Sequence, residues 1–494
     1  MVGICRKRVS QWVSAPGVVA HKVGPHCGAP ATATVSAMPD PRPFDLVIHG
    51  GTVVNHAGRA HADVGVRNGR IAAIGDLGQS PAASRINASG LHVLPGVIDT
   101  QVHFREPGME HKEDLQSGSA GAALGGVVGV FEMPNTKPAT IDAAALADKL
   151  HRAKRMWTDH AFYMGGTPGN ATQLAELERL PGCCGVKVFM GSSTGSLLIA
   201  DDADLDRVLA TITRRAAFHS EDEARLRERR KLIPESGASA HLHPEWRDVE
   251  SALRSTRRLL TLAAKHRRRV HVLHVTTAEE IDLLRLHRDI ATVEVLPNHL
   301  TLFAPDCYDL LGTYAQMNPP VRDARHRAAL WAAINDGTVD ILATDHAPHT
   351  RAEKDAGYPA SPSGMPGVQT LVPLMLDHVN AGRLTLERFI DLTSAGPLRT
   401  FGLAHKGRLA AGYDADLTIV DLGAKRVIRD QDMASRVGWT PFNGMTVTGW
   451  PVMTVIRGNV VMRDGALIGA PLGKPMQFTE CLASADAVAP ATAG

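Results

Sequence analysis

Aromatic residues are scarce: Phe, Tyr and Trp together make up 4% of the 494 residues. Such a chain has little with which to build a base-stacking platform for single-stranded nucleic acid. An excess of either charge is also missing. Lys and Arg number 53 against 51 Asp and Glu, a formal net charge of +2, so no overall field draws the molecule to nucleic acid or to an acidic membrane. Gly, Pro or charge interrupts every apolar run well short of the roughly 18 residues that mark a membrane-spanning helix. Cysteine is sparse as well: Cys5, Cys27, Cys183, Cys184, Cys307 and Cys481 are scattered with no C-x-x-C spacing. A chain this long needs no disulfide staples, and a reducing cytoplasm is the expected setting. What is present is ordinary globular composition, 44% hydrophobic and 21% charged, which excludes a disordered chain and a coiled coil. The unusual number is 23 histidines. Abundance only hints at metal chemistry, so positions must decide.

Residues 1–42 differ from the rest. They carry Arg6, Lys7, Arg8 and Lys22, no acid before Asp40 and the loose stretch Gly28–Ser36. They read as a flexible extension or as a chain start assigned ahead of Met38, with a basic transit peptide as the third reading. Residues 471–494 read as a tail, frayed beyond about Gln477. Between these ends, 43–94 and 401–470 alternate short β-type runs with turns. The first has Leu46–His49, Thr52–Val54, Asp63–Arg67 and Arg70–Ile74, with the hairpin signal Asn68-Gly69 between the last two. The second has Ala415–Val420, Lys425–Ile428, Val452–Arg457 and Val460–Arg463. The two segments are expected to combine into one small β domain.

The middle, 95–400, alternates β-type runs with helix-length stretches. The expected strands are Val97–His103, Val127–Glu132, His160–Gly165, Cys184–Phe189, Arg215–His219, Arg269–His274, Thr292–Leu296 and Asp340–Asp345. Eight β/α units in this length predict a (β/α)8 barrel, whose chemistry sits at the C-terminal ends of the strands. Those ends carry Gln101 and His103, Glu132, Lys187, His219, His274 and Asp345. Gln101 and His103 share one strand face by the two-residue period. His271 and His274 have opposite parity, and His274 is nearer the strand end. Neutral imidazoles suit zinc and its neighbours, although a lone buried histidine is as readily a core residue bonded to backbone. Lys187 lies within an apolar strand covered on both sides. Burial lowers a lysine pKa and makes the amine a nucleophile, so it is either salt-bridged or open to reaction with carbon dioxide, giving a carbamate able to bridge two cations. Asp345 is placed to orient a metal-activated water and take its proton. Each residue alone has a bland explanation; five strand ends together do not.

Four segments, Asp99–Gly108 (DTQVHFREPG), Glu132–Thr136 (EMPNT), Met317–Arg322 (MNPPVR) and Asp345–Thr350 (DHAPHT), resemble the dihydroorotase family within the metal-dependent amidohydrolase superfamily. Gly407–Asp421 (GRLAAGYDADLTIVD) is similar to the superfamily's returning β segment, and the resemblance runs over roughly 45–465. It implies a zinc centre of one or two metals held by His103, carboxylated Lys187, His219, His274 and Asp345, with Asp345 also the general base. It implies Arg105 and Asn135 as contacts to a substrate carboxylate, with Asn318 and His349 nearby. The implied reaction is reversible opening of L-dihydroorotate to N-carbamoyl-L-aspartate, a step of pyrimidine synthesis, on a cytoplasmic homo-oligomer.

This sequence departs from the family where Gln101 replaces the first histidine of His-x-His. A neutral amide oxygen is a weak zinc ligand, so one tight metal is expected, with a second weak or absent. Asn298 stands where a histidine is common, and no usual ligand is expected from that strand end. Arg229–Glu245 is read as a solvated loop, with a mobile lid as the alternative. The basic runs Arg225–Lys231 and Lys265–Arg269 read as solvated helix faces. Two other functions stay open. One is a hydantoinase or allantoinase, against which Arg105 weighs because those substrates lack a ring carboxylate. The other is a catalytically impaired homologue serving as an assembly partner of aspartate transcarbamoylase, which Gln101 alone favours.

Overall fold

The computed structural model describes residues 42–193 and 197–481. The extension expected over 1–42 lies, apart from Arg42, outside the described residues, as does the chain beyond 481. The first strands are β1 (Phe44–His49), β2 (Thr52–Asn55), β3 (Gly58–His61), β4 (Asp63–Arg67), β5 (Arg70–Gly75), β6 (Ala82–Asn87) and β7 (His92–Pro95). Asn68 and Gly69 turn β4 into β5 with φ of 51° and 74°, the left-handed pair that Asn-Gly accommodates. The expected runs of this segment are all strands. Three were not foreseen: β3, β6 and β7. β3 is fully exposed, and β6 carries Ser, Arg and Asn with one buried residue, Ile86, so neither has the buried alternation that marks a strand in sequence.

The middle contributes β8 (Val97–Val102), β9 (Val127–Glu132), β10 (Asp159–Gly165), β11 (Cys183–Phe189), β12 (Ala216–His219), β13 (Val270–Val272), β14 (Ala291–Val295) and β15 (Ile341–Leu342). They pair in sequence order as one 8-stranded sheet, each strand parallel to its neighbours. A parallel bridge between Val102 and His346 brings the last segment against the first and closes the barrel. Nearly every residue of these strands is buried, as covering on both faces requires. β15 covers only Ile341–Leu342 of its expected run, and three residues on, Asp345 takes a left-handed φ of 49°.

The chain then returns through β16 (Leu417–Val427), β17 (Thr446–Ile456), β18 (Asn459–Arg463) and β19 (Ala466–Leu467). β16 pairs antiparallel with β7, so N- and C-terminal segments share a 7-stranded sheet ordered β19-β18-β17-β16-β7-β2-β3; β5-β4-β1-β6 form a second sheet. The fold is thus a (β/α)8 barrel with a small β domain built from both ends of the chain.

Inside the barrel Ile98, Phe131, Tyr163, Leu273 and Ile341 form a core that Phe401, Met476 and Phe478 extend. Those last two residues correct the reading of a tail from 471: Met476 and Phe478 are each 2% exposed, because two large apolar side chains find a buried seat beneath the barrel. At the same end Lys406 reaches Asp159 at 2.7 Å and Asp414 at 3.1 Å and also pairs with Asp416, while Arg457 pairs with Asp159. This cluster ties the start of β10 to the start of β16. Among the described residues no helix is long and apolar enough to cross a membrane.

Candidate active site

Asp99, Gln101 and His103 fall on one face by strand parity, and Asp99 anchors that face. Its carboxylate accepts from the Thr344 backbone N–H at 3.0 Å, from the Thr344 hydroxyl and from the Gln101 N–H at 3.2 Å. The His103 N–H donates to the His346 carbonyl at 2.7 Å. These bonds pin β8 to the segment after β15 and set His103 beside Asp345, with Nε2 3.0 Å from Oδ1. Gln101 Nε2 donates to the same Oδ1 at 3.0 Å. Arg105, His274 and Asp345 all sit at positive φ, 64°, 37° and 49°. Each such non-glycine residue costs about 1–2 kcal/mol, strain of the kind that collects at functional sites.

Register across the sheet places the remaining residues. Lys187 lies opposite Ala217 and Phe189 opposite His219. His219 Nδ1 and His274 Nε2 come to 3.0 Å. One cleft is lined by Gln101, His103, Arg105, Asn135, Lys187, His219, His274, Asn318 and Asp345, so nearly all the site residues expected from sequence converge. His349 is the exception. It is fully buried behind Arg105 and touches the guanidinium rather than lining the cleft.

The buried Lys187 ammonium pairs with no carboxylate among the described residues. It faces the Phe189 ring, 4.4 Å from its centroid. Burial pushes its pKa down to about 7, against the pull of Asp345 and Glu294. The salt-bridged alternative does not hold, and a neutral amine is the form that takes up carbon dioxide.

The donor set accommodates a metal. Asn135 presents its amide oxygen to His103 Nδ1 at 2.8 Å, so Nδ1 carries the proton and the Nε2 lone pair faces the Asp345 oxygen. Two lone pairs at 3.0 Å repel unless a cation lies between them. Glu221 Oε2 stands 2.9 Å from His219 Nε2, off the ideal hydrogen-bond line, and favours the proton there; Nδ1 then turns a lone pair toward His274. His274 Nδ1 and Gln101 Oε1 are buried without partners. Burial holds His103, His219 and His274 below the usual histidine range, and neutral imidazole is the ligating form. Among the described residues no three His, Cys, Asp or Glu close around one point. The two donor pairs leave a metal short of ligands, and Lys187 lines the same cleft.

Several working residues are not evident in the sequence. Glu221 is held by Arg247; burial alone would raise its pKa, but Arg247 and His219 outweigh that and keep the carboxyl well below the usual range. Glu294, on β14, accepts from the Thr100 hydroxyl at 3.0 Å, and burial raises it to about 8. His243 corrects the reading of 229–245 as a solvated loop. It is fully buried, with Nε2 2.9 Å from the Met317 carbonyl and 3.0 Å from Asn318 Oδ1, so this loop orients Asn318. Ile233 and Ala240 are buried with it, in a cluster that includes Met317 and Tyr358. The basic runs meet acids as expected of surface faces: Arg227 reaches Glu223 and Lys265 reaches Asp206. Asn298 donates to the Met365 sulfur instead of lining the cleft. Gly108, at φ 92°, lies so close to the segment carrying Asn135 that a Cβ there would stand 2.1 Å from the Lys137 carbonyl. Glycine is what lets the Arg105 and Asn135 loops close on one another.

A family model described as the amidohydrolase family matches residues 92–461, and one for the N-terminal domain of the urease alpha-subunit matches residues 30–93. The chain is 38% identical over 425 residues to a dihydroorotase of Methanosarcina acetivorans, covering 83% of this chain and 90% of that protein. It is 39% identical over 416 residues to a dihydroorotase of Halobacterium salinarum, covering 83% and 94%. Among solved structures, an L-hydantoinase (dihydropyrimidinase) from Arthrobacter aurescens superposes with a TM-score of 0.84 at 30% identity, covering 88% of this chain and 99% of that one. A match through the barrel and the returning β strands, on a cleft whose donors converge at the strand ends, leaves one assignment: the chain belongs to the amidohydrolase family.

Proposed function

We propose that the chain is a dihydroorotase, opening the cyclic amide of L-dihydroorotate to N-carbamoyl-L-aspartate and closing it in reverse. Membership of the family implies a metal cofactor. We assign it as zinc, held by His103, His219, His274, Asp345 and a carboxylated Lys187, with tight binding at the His219–His274 pair and weak or absent binding beside Gln101. When bound, the metal supplies Lewis acidity that polarises the ring amide carbonyl and makes a water nucleophilic near neutral pH.

The protein's own groups do the rest. Arg105, with Asn135 and Asn318 on the same cleft, holds the ring carboxylate and sets the amide against Asp345. Asp345 takes the proton of the attacking water and returns it to the leaving ring nitrogen. Asn135 also orients His103, so one side chain serves both ligand and substrate. The carrying observation is Arg105: a guanidinium only 1% exposed, its Nε committed to the Pro348 carbonyl at 3.1 Å, lining the cleft next to the general base. Burying a cation is costly without an anion, and the ring carboxylate is that anion. A hydantoin or allantoin hydrolase, the reading favoured by the likeness to the L-hydantoinase, leaves this charge without a use. A silent assembly partner of aspartate transcarbamoylase needs none of Lys187, His219, His274 or Asp345.

Steady-state assay of zinc-loaded protein on L-dihydroorotate, hydantoin and allantoin, with metal analysis of the same sample, tests the assignment. L-Dihydroorotate should be strongly preferred. Preference for either of the others, or no turnover with metal bound, overturns it.

A further inference from the structure

His349 stands between two cations. Lys112 Nζ is 3.0 Å from its Nδ1, and Arg105 Nη2 is 3.2 Å from its Nε2. A neutral imidazole has one donor and one acceptor nitrogen, and a lysine ammonium can only donate. His349 is neutral, since burial, with Arg105 and Lys112 beside it, holds it well below the usual range. Lys112 therefore claims the acceptor, Nδ1, and the proton must sit on Nε2. From there it donates to the Ser363 carbonyl at 3.0 Å, part of the cleft wall. With Nε2 a donor, Arg105 Nη2 finds no acceptor in His349. The Arg105 Nε is already spent on Pro348, so the outer edge of the fork stays uncommitted.

Lys112 is itself fixed. It is 8% exposed and ion-paired to Glu353 Oε1 at 2.7 Å. Glu353 is locked in turn by the capping box with Thr350 that starts the helix Arg351–Lys354.

We propose that Lys112 is a positioning residue for the substrate anion: by fixing the His349 tautomer it keeps the Arg105 fork from closing on the protein and leaves it open to a carboxylate. The assignment rests on the reading of the cleft as a site for a ring carboxylate. Without Lys112 the other tautomer becomes available. Its Nε2 accepts from Arg105, Ser363 loses its donor, and one arm of the fork is withdrawn.

The test is calorimetric binding of orotate, which carries the ring carboxylate, and of 5,6-dihydrouracil, which lacks it, to the zinc-loaded full-length chain. Lys112→Met should weaken orotate by about tenfold or more, a change of at least about 1.4 kcal/mol. Dihydrouracil affinity and zinc content should stay as in the unsubstituted protein, and Lys112→Arg, which still donates, should keep most of the orotate affinity. Unchanged orotate affinity in Lys112→Met, or equal weakening of both ligands, overturns the proposal. A second measurement needs no ligand: ¹⁵N NMR of histidine-labelled protein, with the His349 signal identified by its loss in His349→Asn, should find the proton on Nε2. A proton on Nδ1 overturns the proposal even if Lys112→Met fails to fold. Should the unsubstituted protein neither bind orotate nor turn over L-dihydroorotate, the functional reading falls, and the tautomer alone then decides the role of Lys112.

Discussion

Gln101 Nε2 donates to Asp345 Oδ1 at 3.0 Å, while the oxygen of the same amide is buried without a partner. An imidazole at this position would offer a lone pair to a cation. The glutamine instead turns its NH₂ toward the carboxylate, because the opposite orientation would set its oxygen against another oxygen. Sequence marks Gln101 as a weak ligand; its present orientation makes it a hydrogen-bond donor to Asp345. In the proposed centre both consequences would weaken a metal beside His103 and leave the His219–His274 pair untouched.

Zinc titration into apo-protein should accordingly show two well-separated affinities, or a single site. Gln101→His should tighten the weaker site by about tenfold or more, since an imidazole nitrogen replaces an amide and ligand changes of this kind move affinity by at least that much. Two equally tight metals in the unsubstituted protein, unchanged by Gln101→His, would make Gln101 a bystander.

Lys187→Ala should lose both metal and activity, because the carbamate proposed to complete the two donor pairs cannot form. Short carboxylic acids at high concentration should restore part of both by filling the vacated space with an oxygen ligand. The measurements are metal content and turnover with and without added acid. A full metal complement in Lys187→Ala would exclude the lysine from the centre.

Arg105→Lys keeps the charge and loses the planar fork. A fall in kcat/KM of about tenfold or more, about 1.4 kcal/mol in transition-state stabilisation, is expected with metal content unchanged. Ordinary kinetics in this variant would remove Arg105 from substrate binding.

Lys406→Met addresses stability. It leaves Asp159, Asp414 and Asp416 around a largely buried space with Arg457 on Asp159 and Arg70 on Asp414 as the remaining cations, and breaking a buried pair of this kind costs about 3–5 kcal/mol. Burial opposes the Lys406 charge but the three carboxylates outweigh it, so its pKa is raised. A raised pKa makes its contribution fully present below the unfolded value of about 10.4 and lost only as pH climbs through the folded one. In the variant the stranded carboxylates favour protonation, so the loss should be larger at pH 8 than at pH 5. Denaturant unfolding at both pH values checks this; an equal loss at both would mean that the carboxylates are solvated.

The barrel was legible because its strands are apolar runs that end in a polar residue, and burial on both faces leaves that pattern unbroken in sequence. The metal-type residues were legible for the same reason, as exceptions at the ends of such runs. β3 and β6 were not, because exposed strands carry no apolar period. Lys112, His243 and Glu221 escaped notice because what they do depends on partners brought up by the fold: Lys112 meets His349 237 positions away, and His243 meets Asn318 75 away. His349 belongs to the same motif as Asp345, but it follows the left-handed turn at Asp345, where strand parity no longer tells which way a side chain faces. The burial of Met476 and Phe478 beneath the barrel was hidden by their small polar and proline-rich surroundings.

The most direct measurement is the ratio of kcat/KM for L-dihydroorotate to that for 5,6-dihydrouracil, the same saturated ring without the carboxylate, on zinc-loaded protein. A buried guanidinium that reads the carboxylate should favour L-dihydroorotate by about a hundredfold or more, the scale on which a buried polar group left unpaired rejects the wrong ligand. A ratio near one, or a preference for dihydrouracil, would contradict the role given to Arg105 and the substrate it implies.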